Sequence, residues 1–350
     1  MEIRSRAPLR IGVAGGGTDL PSYSNEYGGA VFNATIGMYA YCTIIPTNNG
    51  RIVITAYDNH NSLDSPSVSH FDIVDENLIL HKGVYNRIVK DFNGGKPLSF
   101  VMSTSNDAPV GSGLGTSSTM VVAILEAFDK WLGLGLTPYQ KAYLAYDIER
   151  NDLKLSGGKQ DQYSAVFGGF NLMEFKKNGE TIVNPLRVHS STINELECSL
   201  ILYYNGKSRS SAQIINEQIK NATNKNKTTI EAMHELKKSA EDIKESILVG
   251  DIQRFADILR ASWENKKKTS SIVSNKELEN TIAYATEHGA EAVKVSGAGG
   301  GGFLMLYCNP INRQKLIDAL NMLNGKVYPV KFSKTGVESW IINTQTNLQR

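Results

Sequence analysis

The stretch PVGSGLGTSST, from Pro109 to Thr119, carries the residue types of a phosphate cradle. Gly111, Gly113 and Gly115 let the backbone approach a ligand, and Thr116, Ser117, Ser118 and Thr119 set hydroxyls and amides at the start of a helix-like run. Unpaired amides and the positive end of a helix dipole favour an anion, most often a phosphate. A nucleoside triphosphate is therefore expected against this loop, with Pro109, Ser112 and Leu114 completing its contour. A Walker loop would place a Lys before the last Ser or Thr, and Thr116 to Thr119 contains none. A dinucleotide fingerprint would have glycine where Thr116 stands.

Three further segments concentrate polar chemistry. RAPLRIGVAGGGTDLPSY, Arg6 to Tyr23, is a strand pattern followed by Gly15, Gly16 and Gly17 and then Thr18-Asp19. A buried carboxylate beside glycines can accept hydrogen bonds from vicinal hydroxyls, which a sugar offers. DIERNDLKLSGGKQDQY sets Asp161 just after Gly157, Gly158 and Lys159, between two glutamines. There it can accept a hydroxyl proton or merely orient the hydroxyl. Upstream, Glu149 and Asp152 lie near a helix end, where a carboxylate can reach a hard metal. KVSGAGGGGFLML, Lys294 to Leu306, carries glycines at 297 and 299 to 302 that can press backbone against the other segments.

The elements that must position these residues can be read from periodicity. PLRIGVAG, AVFNATIG, MYAYCTIIPT and RIVITAYD read as strands, with Asn48-Asn49-Gly50 closing a hairpin. LSFVMST is the strand before the phosphate loop, and Val121, Ile124, Leu125, Phe128 and Leu132 mark the helix after it. A short helix is expected around Lys82 to Phe92, and another from Thr137, its N-cap, with Pro138 in the first turn. Strand GGFNLMEF and a hairpin at Lys177 to Gly179 follow. Near Ser190 the texture changes to SLILYY, then a helix-rich block from Ser210 to His288, where Lys266 to Lys268 read as a solvated helix end. AVKVS, FLMLYC, the helix RQKLIDALNML and KVYPVKF complete a split βαβ pattern of ferredoxin-like type. The expected class is α+β with two domains: residues 1–190, a mixed sheet-and-helix ATP-binding domain, and residues 191–350, a ferredoxin-like one.

At 350 residues, 41% hydrophobic and 21% charged, the chain has an ordinary globular composition. Its 37 basic against 35 acidic residues give +2, too balanced for nucleic-acid binding, so an anionic substrate needs a local basic site. No apolar run is long enough for a membrane span, and the start lacks the pattern of a signal peptide. Cys42, Cys198 and Cys308 lie in strand-like segments and suggest buried thiols in a reducing, cytoplasmic compartment. The six histidines show no zinc-binding spacing.

Taken together, PLRIGVAGGGTD, PVGSGLGTSS and KVSGAGGGGF resemble, in order and across most of the chain, the three motifs of the GHMP kinases. The first motif is most similar to that of the branch acting on D-glycero-D-manno-heptose 7-phosphate, with fucokinases as relatives; galactokinases carry Gly-Glu-His before Thr-Asp, where this chain has Gly15-Gly16-Gly17. The resemblance implies ATP-dependent phosphorylation of an anomeric hydroxyl, with Mg²⁺, a small sugar phosphate as partner and no nucleic acid or membrane; a homodimer is compatible with it. Asp161 matches the catalytic aspartate and Arg10 the basic residue of the first motif. Ser118 and Glu149 match the positions that hold Mg²⁺, and Gly111, Gly113, Gly115 and Ser117 the phosphate loop. Thr18, Asp19, Gly17, Gly158 and Gly299 fall at the sugar side. A substrate phosphate needs a second cationic site, for which Lys159, Lys207 and Arg209 are candidates. The rival readings are a kinase for an unphosphorylated sugar, a sugar sensor without turnover, and a decarboxylase of the same family.

Overall fold

Two long strands organise the chain: β1 (Glu2–Ala14) and, after the short helix α1 (Pro21–Tyr27), β2 (Gly29–Pro46). The computed structural model describes residues 1–74, 77–206 and 211–343. Then come β3 (Arg51–Ala56), β4 (Asn61–Pro66), α2 (Ile79–Phe92) and β5 (Phe100–Asn106). Helices α3 (Thr116–Leu132), α4 (Pro138–Asp147) and α5 (Gln160–Phe167) precede the hairpin of β6 (Phe170–Phe175) and β7 (Thr181–Pro185). Helix α6 (Ser190–Ser199) leads into β8 (Leu200–Tyr204) and a run of four helices: α7 (Ser211–Thr223), α8 (Lys227–Val249), α9 (Ile252–Lys267) and α10 (Lys276–Glu287). Last are β9 (Ala292–Val295), β10 (Phe303–Tyr307), α11 (Arg313–Asn321), β11 (Lys326–Pro329) and β12 (Glu338–Ile342).

The first sheet runs β12-β1-β2-β5-β3-β4, with β6 and β7 added beside β2. The two strands expected at AVFNATIG and MYAYCTIIPT are one: the first half of β2 pairs with β6 and the second half with β5. The expected hairpin at Asn48-Asn49-Gly50 is corrected by the same pairing. Phe100 of β5 lies between Pro46 and Ile52, so β5 separates β2 from β3 and pairs parallel with β3. Turn residues report a reversal of direction; they cannot report a third strand inserted between its arms. Cys198 is likewise corrected: it is exposed on α6, whereas Cys42 and Cys308 are buried.

The second sheet is antiparallel in the order β11-β8-β10-β9, the ferredoxin-like arrangement expected from the element pattern. β12 returns to the first sheet and pairs with β1, so the chain crosses back over the division read near residue 190.

Local chemistry explains the helices that matter for the site. Gly115 precedes α3 with φ +78, a left-handed conformation that glycine adopts freely, and no side chain caps the helix start. Val121, Ile124, Leu125 and Phe128 are fully buried against the first sheet. Thr137 and Gln140 form a reciprocal capping box on α4. Between the sheets, Ile243, Ile247, Phe255 and Leu259 pack on Leu9, Ile11 and Val13 of β1 and on Phe303 and Met305 of β10. Each such side chain contributes roughly 1.5–3 kcal/mol through burial.

A buried lysine joins the halves. Lys294 on β9 donates from Nζ to the carbonyls of Gly12 (2.8 Å) and Val13 (2.7 Å) on β1. Burial, helped by the nearby charges of Lys266 and Arg10, lowers its pKa to about 7 from an ordinary 10.5. Between those values the unfolded chain binds a proton that the fold excludes, so this site's penalty is full below the lower value and fades as pH rises. The stability advantage of wild type over Lys294→Met, measured by urea melts at neutral and alkaline pH, should grow as pH rises. A constant gap contradicts this reading.

Candidate active site

Arg10 stands on β1 where the register slips on either side, between Pro8 and Arg10 and again between Gly12 and Ala14. Such bulges re-aim a side chain out of the regular pleat. The guanidinium, nearly all buried, places Nε and Nη2 each 2.7 Å from Oδ1 of Asp161 in the first turn of α5. Its Nη1 donates to the carbonyl of Gly113 at 2.6 Å. One side chain thus ties a strand, a helix start and the glycine loop together. A Cβ on Gly115 would lie 3.2 Å from Oδ2 of Asp161, so that carboxylate faces the mouth of the loop.

The loop rests on the C-terminal glycines. A Cβ on Gly113 would meet the Ser296 carbonyl at 2.5 Å, and one on Gly302 would meet the Ser112 carbonyl at 2.3 Å. Gly111, Gly113, Gly115, Thr116, Ser117 and Ser118 line one wall of a cleft of ≈ 260 Å³. Pro109, Ser112 and Leu114 hold the loop from behind: Ser112 N–H donates to the Pro109 carbonyl, and Arg10 N–H to the Leu114 carbonyl. Gly297 and Ala298 reach the cleft, while Gly299 packs against Val273 instead.

Asp19, Gly17 and Gly158 line the same cleft. The Asp19 carboxylate is buried and accepts from the amides of Gly17 and Gln160, each at 3.1 Å. Burial, with a smaller push from Asp161, raises its pKa, and the Gln160 amide opposes this. Thr18 does not face the cleft; its hydroxyl is engaged with the backbone of Gly15 and Ala30. It fixes the glycine turn that carries Asp19.

The helix following α4 widens into a π-turn at Ile148–Asp152, a distortion common at functional sites. Glu149 points inward, where Oε2 accepts from Ser118 Oγ at 2.9 Å and Oε1 from Gln162 Nε2 at 2.8 Å. Burial raises its pKa despite Arg150 and these two donors. Asp152 turns away and forms a bidentate pair with Arg87, which removes it as a metal ligand. Among the described residues no group of three or more His, Cys, Asp or Glu could hold a metal. The Ser118–Glu149 pair does suit a hard cation that takes its other ligands from phosphate oxygens and water.

The cationic candidates separate. Lys159 lies outside the cleft: Nζ donates to the Gly179 carbonyl at 2.6 Å and sits 5.4 Å from the Tyr146 ring centre, in a second, open pocket lined also by Tyr139, Tyr143 and Tyr163. Lys207 and Arg209 lie outside the described residues. Lys266 corrects the reading of a solvated helix end, for it is 4% exposed and lines the cleft. Its signal was in the sequence: Phe255, Leu259, Trp263 and Lys266 continue one buried stripe at helical spacing. Burial, with repulsion from Arg10, lowers its pKa to about 8, and Asp19 opposes the shift. Gln162 and Gln218 were also missed; each is buried beside the site.

The paired Arg and Asp, the helix-start loop and the buried Asp19 line one cleft with the makings of a phosphotransferase site. Residues 77–169 match the GHMP kinases N terminal domain and residues 232–323 the GHMP kinases C terminal model. The chain belongs to the GHMP kinases, a family with this two-domain fold, and its relatives at 45–48% identity place it among the ATP-dependent sugar phosphotransferases of that family. It is 45% identical over 97% of its length to D-glycero-alpha-D-manno-heptose 7-phosphate kinase of Campylobacter jejuni, spanning 99% of that protein. A solved D-glycero-D-manno-heptose 1-phosphate kinase from Bacteroides thetaiotaomicron is 48% identical, with a TM-score of 0.84 and coverage of 98% of this chain and 100% of that one. The L-fucokinase/L-fucose-1-P guanylyltransferase of Bacteroides fragilis is 26% identical over 86% of this chain and 34% of that protein. These relatives support a heptose kinase role; their names put the substrate phosphate on different carbons. Among the described residues no helix is long and apolar enough to cross a membrane.

Gly158 gives a test of the sugar-side geometry. A Cβ there would lie 1.8 Å from Oδ2 of Asp19, so Gly158→Ala must displace that carboxylate. The substitution should cost about 1–3 kcal/mol in urea melts, and clearly less in an Asp19→Ala background. Equal costs in both backgrounds would show that the two residues do not press on each other.

Proposed function

We propose that the chain transfers the terminal phosphoryl group of ATP to the anomeric hydroxyl of D-glycero-D-manno-heptose 7-phosphate, giving the 1,7-bisphosphate. The observation that carries this reading is the Arg10–Asp161 pair, held at 2.7 Å and facing both the glycine loop and the wall bearing Asp19. Phosphoryl transfer passes through a loose transition state, so positioning and charge neutralisation supply most of the acceleration. The uncapped amides that open α3 serve the β- and γ-phosphates. Ser118 and Glu149 would hold Mg²⁺, which supplies charge neutralisation at those phosphates when bound.

Asp161 acts on the attacking hydroxyl. Arg10 occupies Oδ1, leaving Oδ2 toward the loop to orient the anomeric hydroxyl and take its proton. That hydroxyl is more acidic than an ordinary alcohol, and in a loose transition state its proton leaves during or after attack. Asp19 accepts from the sugar's ring hydroxyls, and the bare backbone of Gly158 is what lets the Asp19 carboxylate sit there.

The product spectrum tests the proposal. With heptose 7-phosphate and ATP, phosphorus NMR should show two phosphates on the sugar, one of them anomeric; transfer to another carbon, or activity confined to unphosphorylated sugars, would refute it. Asp161→Asn should lower kcat by about 10²- to 10⁴-fold while ATP affinity holds. A wild-type rate in that variant removes Asp161 from the reaction.

A further inference from the structure

Among the described residues, the cleft holds one buried ammonium group that the phosphoryl-transfer chemistry leaves without a task. Lys266, in the last turn of α9, donates from Nζ to the Gly16 carbonyl at 2.9 Å. Among the described residues no carboxylate lies within ion-pair distance of it. An ammonium has three protons to give, and burying it without an anion costs several kcal/mol. A ligand that brings the anion offsets that cost.

The surroundings are shaped for such a ligand. Gly17 lies at φ +103, and a Cβ there would come within 3.2 Å of Lys266 Nζ and 3.8 Å of Gln218 Oε1. Bare backbone at this point therefore leaves the lysine uncrowded in the cleft that Asp19 also lines. Gln218 is 1% exposed and is held by donation from Nε2 to Thr269 Oγ1 at 2.7 Å. Ser211, Ala212 and Ile215 of α7 line the far side of the same cleft. Among the described residues the other cations lining the cleft are engaged. Arg10 is bound to Asp161 and Gly113, while Arg150 faces Glu149 and the carbonyls of Leu155 and Gly158.

We propose that Lys266 is the subsite for the phosphate that the acceptor sugar already carries, reached past Gly17 from the ring-binding wall at Asp19. The inference rests on the heptose 7-phosphate reading above and replaces Lys159 as the cation that selects a phosphorylated sugar. A charge-assisted contact to phosphate separates phosphorylated from unphosphorylated acceptors through KM, since it is made equally in the ground and transition states.

Steady-state kinetics with D-glycero-D-manno-heptose 7-phosphate and with the unphosphorylated heptose test this. Lys266→Gln, with a wild-type circular dichroism spectrum and ATP affinity, should raise KM for the phosphorylated sugar by about 10- to 100-fold and barely change it for the other. An unchanged KM for heptose 7-phosphate, or an equal loss for both sugars, overturns the assignment alone. Failure of the wild-type enzyme to turn over heptose 7-phosphate overturns the substrate reading and this inference together. A co-crystal structure of the wild-type enzyme with heptose 7-phosphate needs no variant. It should place a phosphate oxygen within about 4 Å of Lys266 Nζ. A phosphate seated beside Lys159 in the tyrosine-lined pocket contradicts it.

Discussion

One guanidinium holds the site together. Arg10 reaches from the first strand to the Asp161 carboxylate and to the Gly113 carbonyl, so the acid, the loop and the sheet share one rigid fork. The planar, always charged group suits this better than an ammonium would, because its donors point in fixed directions. Most other features of the cleft keep those partners in reach. Bulges aim Arg10, glycines at 113 and 302 let Ser296 and Gly302 press backbone on the loop, and Thr18 fixes the turn that presents Asp19. Substituting any of these moves the reacting groups relative to one another, and positioning is what this class of chemistry depends on.

The electrostatics share one cause. Asp19 and Glu149 are pushed toward their neutral forms and Lys266 and Lys294 toward theirs, in every case chiefly by burial. A cleft that desolvates acids and bases alike makes each interaction with a bound charge stronger than it would be in water. The net charge of +2 on 350 residues exerts no such pull at a distance. On the proposed reading, selection of anionic partners is local, built from a helix start, Arg10 and the lysine on α9.

Much of this was legible in the sequence because it is local chemistry. Glycines at 111, 113 and 115 before a helical run, a strand leading into Gly15–Asp19, and the N-cap at Thr137 each report the backbone they sit in. The ferredoxin-like strand order followed from the element pattern. What the sequence hid is non-local. The insertion of β5 between β2 and β3 and the return of β12 to β1 leave no trace in turn residues. The readings of Lys159 and Lys266 were both revised by the fold, for different reasons. Adjacency to Asp161 in the chain suggested the first, but α5 turns it toward Gly179. The second, beside two solvent-type lysines, belonged to the apolar stripe of α9, and periodicity was the better guide than charge.

The central claim is that Arg10 and Asp161 work as one unit, and a double-mutant cycle on kcat/KM tests it most directly. Groups that act together are lost together, so Arg10→Met combined with Asp161→Asn should be little slower than the slower single variant. If the two losses multiply, the residues act independently, and the coupling of strand, loop and carboxylate described here is wrong.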